Sequence, residues 1–110
     1  NGVKIIYRVG AQHKFISKMI GVSGCNISKL KKDIWKTGLD CVPKIIIEEP
    51  TRYYSKIRNI GDKNCEEKIM IIIMHVKGNV ILENIDKIVK EYVNVFTKEE
   101  DLEESSNGGW

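Results

Sequence analysis

Two glycines three positions apart, Gly21 and Gly24, enclose the pair Val22-Ser23, and an apolar run at helical spacing lies on either side. Phe15, Ile16, Met19 and Ile20 come before them; Ile27, Leu30 and Ile34 follow, with lysines in between. Glycine opens backbone angles closed to other residues and lets a partner approach the main chain. A helix that starts directly after such a turn aims its first N–H groups, and the positive end of its dipole, at the turn. That is the chemistry of holding a phosphate by backbone amides. Glycines three apart are common by themselves, so the flanking helical runs give this pattern its weight.

Other reactive side chains form no comparable set. His13, His75, Cys25, Cys41 and Cys65 show neither Cys-x-x-Cys nor His-x-x-x-His spacing, so neither metal nor cofactor is expected. His75, in an apolar run, reads as a core or interface histidine, and Cys25 as a small filler at a helix start. Trp35 reads as core or helix-end packing. No paired carboxylates, Ser/His/Asp set or strand-borne Gly-Lys-Ser loop is present, and the chain is not expected to be an enzyme.

The elements that must position the glycine pair follow from periodicity. Val3 to Val9 is β-branched and reads as a strand, and His13 to Ile20 as a short helix. A second helix runs from Asn26 towards Thr37-Gly38, with Pro43 soon after to forbid its continuation. Lys44 to Ile47 reads as a second strand. The stretch from Ile47 to Lys68, with its turn formers and scattered charge, reads as one long loop. Ile69 to Val76 is apolar almost throughout, which predicts a central strand. After Gly78-Asn79 a long helix is predicted, with Ile81, Ile85, Ile88, Tyr92 and Val95 turned to the sheet. Residues 99–110 carry acids, then Ser and Gly, and read as a disordered tail or linker after a single domain of residues 1–98.

With 42% hydrophobic and 30% charged residues over 110 positions, one α+β domain with a modest core is expected. The chain starts at Asn1 and reads as a piece of a larger protein. No apolar run approaches the roughly 20 residues needed to span a bilayer, so no membrane partner is expected. An odd number of cysteines favours a reducing cytoplasmic or nuclear setting. Residues 1–58 hold nine lysines and three arginines against four acids, a net +8, whereas 59–98 are neutral and 99–110 carry −5. The positive excess lies in the half with the glycine pair, which suits a polyanionic partner.

The run Ile16-Ser17-Lys18-Met19-Ile20-Gly21-Val22-Ser23-Gly24-Cys25-Asn26-Ile27 resembles the hallmark of the K-homology (KH) family, apolar–Gly–x–Ile–Ile–Gly–x–x–Gly–x–x–Ile. With the strands and helices above, the resemblance covers about residues 3–97 and is to the eukaryotic type, type I, in the order β-α-α-β-β-α. It implies a three-stranded antiparallel sheet with three helices on one face. It also implies binding of single-stranded RNA or DNA, about four nucleotides lying in a narrow groove with their backbone against the GxxG loop. On this chain the loop is Gly21, Val22, Ser23 and Gly24. Ser17, Lys18 and Ile20 form the first-helix wall, and Ile27, Ser28 and Lys31 the second. The resemblance makes Ile45 and Ile47 the apolar floor and implies Arg52 as the cation on the far side. The further partners implied are neighbouring KH domains of a parent protein, or a homodimer. Three departures stand out: no Lys or Arg between the glycines, Ser17 where the hallmark has glycine, and no proline after the first strand. They support an alternative, a degenerate KH domain that serves as a protein-interaction scaffold.

Overall fold

The computed structural model describes residues 2–51 and 54–98. Alternating and fully apolar runs become strands, and the runs of period 3.6 become helices. The chain forms β1 (Val3–Gly10), a 3-10 turn (His13–Phe15), α1 (Ile16–Ile20), a second 3-10 turn (Val22–Gly24) and α2 (Cys25–Trp35). It continues with β2 (Lys44–Glu48), β3 (Arg58–Gly61), β4 (Ile69–Val76) and α3 (Leu82–Phe96). This is an α+β fold. Arg52, proposed from the sequence as a groove cation, and the 99–110 segment lie outside the described residues.

The sheet has four strands in the order β2-β4-β1-β3. β4 runs antiparallel to both β2 and β1, in the central place its unbroken apolar run predicts. The expectation of a purely antiparallel three-stranded sheet is corrected by β3, which lies in the stretch read as a loop. It pairs parallel to β1, from Tyr7 opposite Arg58 to Gly10 opposite Gly61. Four residues with one buried apolar side chain, Ile60, carry too little periodicity to announce a strand. Pairing with the otherwise free edge of β1 makes them one.

Period-2 alternation divides the sheet into two faces. Ile5, Tyr7, Val9, Ile45, Ile47, Ile71 and Ile73 join the main core together with Met19, Leu30, Ile34, Ile85 and Val89 from the helices. Ile6, Met70 and Ile72 form a second, smaller cluster on the outer face, covered by Tyr54 and Ile57 from the β2–β3 connection. The Lys4 ammonium lies 5.7 Å from the centre of the Tyr54 ring on that side. Because both faces are covered, β4 is buried from Ile69 to Ile73, which accounts for its lack of alternation.

Two local expectations are overturned. β1 and β4 change register between Val3 and Ile5, and His75 sits at φ 62°, the signature of a bulge. The bulge turns His75 out to solvent, so it is not a core residue. On α3 the buried stripe is Ile85, Val89, Tyr92 and Val93, whereas Val95 is 58% exposed. Two overlapping stripes in this helix satisfy the same spacing, and packing chose the one that carries Val89 and Val93 inward.

Candidate nucleic-acid interface

α1 ends at Ile20, where the Gly21 amide donates to the Ser17 carbonyl at 2.9 Å. The chain then reverses through Gly21 (φ 81°), Ser23 (φ 55°) and Gly24 (φ 74°). A Cβ on Gly21 would stand 2.8 Å from the backbone nitrogen of Asn26, so both space and angle require glycine there. Ser23 holds a left-handed conformation uncommon for a residue with a side chain, and such conformations gather at functional sites.

Three contacts fix this reversal. Asn26 Nδ2 donates to the Lys18 carbonyl at 2.7 Å, tying the start of α2 back to α1. The Gly24 amide closes onto the Gly21 carbonyl at 3.0 Å. From below, the Tyr92 hydroxyl on α3 donates to the Met19 carbonyl, and Met19 is fully buried. Burial holds the Tyr92 phenol in its neutral form by pushing its pKa above the ordinary range. Tyr92 as an anchor of α1 was not foreseen; its place on an apolar stripe reads as simple packing.

The tip itself is open. Val22 is 85% exposed, and Ser23 and Cys25 are also exposed. Cys25 is therefore not the filler its size suggested. Ser23 does not cap α2, whose first residue is preceded by Gly24 with no side-chain cap bond. Among the described residues the Val22 and Ser23 amides have no backbone acceptor, as befits the first positions of a 3-10 turn. Both residues are exposed next to the N-terminus of α2.

Ser17, Lys18 and Ser28 are exposed beside this tip, and Lys31 is half-buried with no ion-pair partner among the described residues. Asp33, the one acid on α1 or α2, is 3.4 Å from Lys29. Ile20 and Ile27, half-buried, pack against the main core that also contains Ile45 and Ile47. Membership of this core, which draws on every strand and helix, places the four isoleucines on the helix-covered side of the sheet. Ile45 and Ile47, expected from the resemblance as a groove floor, are only 5% and 6% exposed and offer little surface to a base.

A second polar cluster, unforeseen, lies at the other side of the helical layer. The Tyr7 hydroxyl donates to Asp86 Oδ1 at 2.5 Å, and Arg58 Nε donates to the same oxygen at 2.7 Å. Arg58 Nη2 donates to Asp86 Oδ2, completing a two-pronged pair. Partial burial pushes the Asp86 carboxyl up, but the bonds from Arg58 and Tyr7 outweigh it and hold it below the usual carboxylate range. Burial, and then the bond to Asp86, push the Tyr7 phenol far up. These residues are 79 and 28 positions apart in the chain, and no local pattern joins them.

No group of three or more His, Cys, Asp or Glu suited to a metal occurs among the described residues, and no helix there is long and apolar enough to cross a membrane. Comparison with protein-family models, with curated proteins and with solved structures returns no match.

Proposed function

We propose that this chain is a KH-like domain of type I that binds single-stranded RNA or DNA through the Gly21–Gly24 tip. The observation that carries the reading is the tip: an exposed reversal at the start of α2, its Val22 and Ser23 amides without a backbone acceptor among the described residues, with Lys18 and the half-buried Ile20 and Ile27 beside it. β1, β4 and β2 taken alone make a three-stranded antiparallel sheet, which supports this reading, and β3 is an addition at its edge. The backbone phosphates meet the tip amides and Lys18, while bases lie against the isoleucines. Two or three phosphate contacts correspond to a log K against log salt slope of about −1.5 to −2. One module of this size binds weakly, and tight binding takes neighbouring modules in a parent protein.

The nearly closed floor at Ile45 and Ile47, and the absence of a cation at Val22-Ser23, favour a second reading as a protein-interaction scaffold. Titration with a randomised four-base library separates the two. Nucleic-acid binding moves the amides of Gly21–Gly24 and Ile45–Ile47 saturably, and Val22→Asp with Ser23→Asp abolishes the movement in a folded protein. A scaffold shows no saturable response at low salt.

A further inference from the structure

β3 accompanies β1 only from Tyr7 to Gly10, so residues 3–6 have β4 along one edge and, among the described residues, no strand along the other. This first half of β1 forms one wall of a cavity of about 640 Å³, and residues 55–58, which lead into β3, form the opposite wall. Side chains alternate across a strand, so Val3 and Ile5 lie on the helix-covered face and Lys4 and Ile6 on the outer one. A cavity bordered by all four lies along the edge of the strand, where its backbone is. Every second residue of an antiparallel strand turns its N–H and C=O away from its partner, so this edge carries donors and acceptors with no strand to meet them.

The rim of the cavity has two chemistries. Val80, which packs against the main core, and Leu82, the first residue of α3, border it on the helical side. Leu82 is 38% exposed and Val3 51%, so apolar surface is open there. Lys4 stands on the outer side next to Tyr54, and Lys56 on the opposite wall; both are exposed. No Asp or Glu lines the cavity, and Arg58 is already paired with Asp86. A strand laid along this edge meets an apolar surface and two ammonium groups.

We propose that the edge of β1 at residues 3–6 docks an extended peptide of a partner protein, added as a strand in line with β3, in which apolar side chains alternate with acidic ones. Main-chain bonds to β1 hold the peptide, its apolar side chains meet Val3, Val80 and Leu82, and its carboxylates meet Lys4 and Lys56. Residues 3–6 span about 13 Å of strand, enough to pair about four peptide residues. A second copy of this chain pairing through the same edge would bring its own Lys4 and Lys56 against these two, and like charges facing across a ladder repel. The lining includes no residue of α1, α2 or the tip, so docking here is independent of the nucleic-acid reading.

The probe is a capped peptide of about eight residues in which valine and glutamate alternate, titrated into the whole chain. It should move the amides of residues 3–6 saturably and slow their exchange with solvent. A peptide alternating valine and lysine should bind at least about tenfold more weakly. Lys4→Glu should weaken the glutamate peptide at least about threefold and strengthen the lysine one by a similar factor. Lys4 is exposed, and unchanged exchange at the fully buried Ile71 and Ile73 shows that the variant is folded. The same valines and glutamates arranged in two blocks should not bind, nor should the alternating peptide N-methylated at every amide. The Val22→Asp, Ser23→Asp protein should bind the peptide as before, whatever becomes of its oligonucleotide response. Residues 3–6 indifferent to the glutamate peptide overturn the proposal, as does equal binding of the block or N-methylated peptide. Shifts at residues 3–6 that grow with concentration of the protein alone assign the edge to a second copy and overturn it too.

Discussion

The glycine tip and the Tyr7–Asp86–Arg58 cluster are both polar, and they are built on opposite principles. At the tip the backbone does the shaping: Gly21, Ser23 and Gly24 take positive φ, the Val22 side chain is exposed, and Ser23 makes no cap bond to α2. In the cluster the backbone is ordinary strand and helix, and three side chains lock β1, β3 and α3 to one another. A region held by its main chain can change its side chains freely and keep its form. A region held by side chains cannot. Partner chemistry is therefore expected at the first and stability at the second.

The largest effect expected from breaking that contrast is on binding. Two aspartates at Val22 and Ser23 place like charge against phosphate, costing several kcal/mol of affinity. Thermal unfolding of the same protein should shift stability by no more than about 0.5 kcal/mol, as is usual for exposed positions. Asp86→Ala reverses the pattern. The buried Tyr7 hydroxyl loses its acceptor, for a loss of about 1–3 kcal/mol in denaturant unfolding, with the water-screened Arg58 pair adding little. Oligonucleotide shifts at the tip should persist in that variant.

Gly21→Ala comes next, at about 1–3 kcal/mol, from positive φ and the close approach to Asn26. It should disturb binding and stability together, since it deforms the backbone that shapes the tip. The pH dependence sharpens the cluster's side of the comparison. The folded Asp86 pKa is lowered, so the folded state holds fewer protons than the unfolded chain in the acid range. Its stabilisation is complete above the ordinary carboxylate pKa and is lost as pH falls through the lowered value. Tyr7 and Tyr92 have raised pKa values, so their contribution is complete below the ordinary phenol value near 10.0 and is lost as pH rises beyond it. Unfolding measured against pH should show both limbs, and Asp86→Asn should flatten the acid one. The smallest effect belongs to Ser23→Ala. No cap bond is lost, and stability should move by less than about 0.5 kcal/mol, against the ~1 kcal/mol of a true capping serine.

Much of the arrangement follows from short-range pattern. Ile69 to Val76 announces a central strand because no alternation means burial on both faces, and Gly21 and Gly24 announce the reversal because helical runs stop and start around them. Ile20, Ile27, Ile45 and Ile47 share a cluster because strand parity and helix spacing place them on facing surfaces. Other features leave no local trace. Ile60 alone cannot mark β3, and Val95 satisfies the same helical spacing as Val93, though only one of them is buried.

The amino-acid sequence by itself determined the order of the helices and of every strand but β3, the α+β class and the position of the tip, since all of these depend on neighbours a few residues apart. Only the tertiary structure decided that β3 joins β1 in parallel and leaves its first half unaccompanied, that Tyr7 meets Asp86, and that Tyr92 anchors α1. Those outcomes depend on which edges and faces meet across tens of residues, and periodicity along the chain carries no record of that.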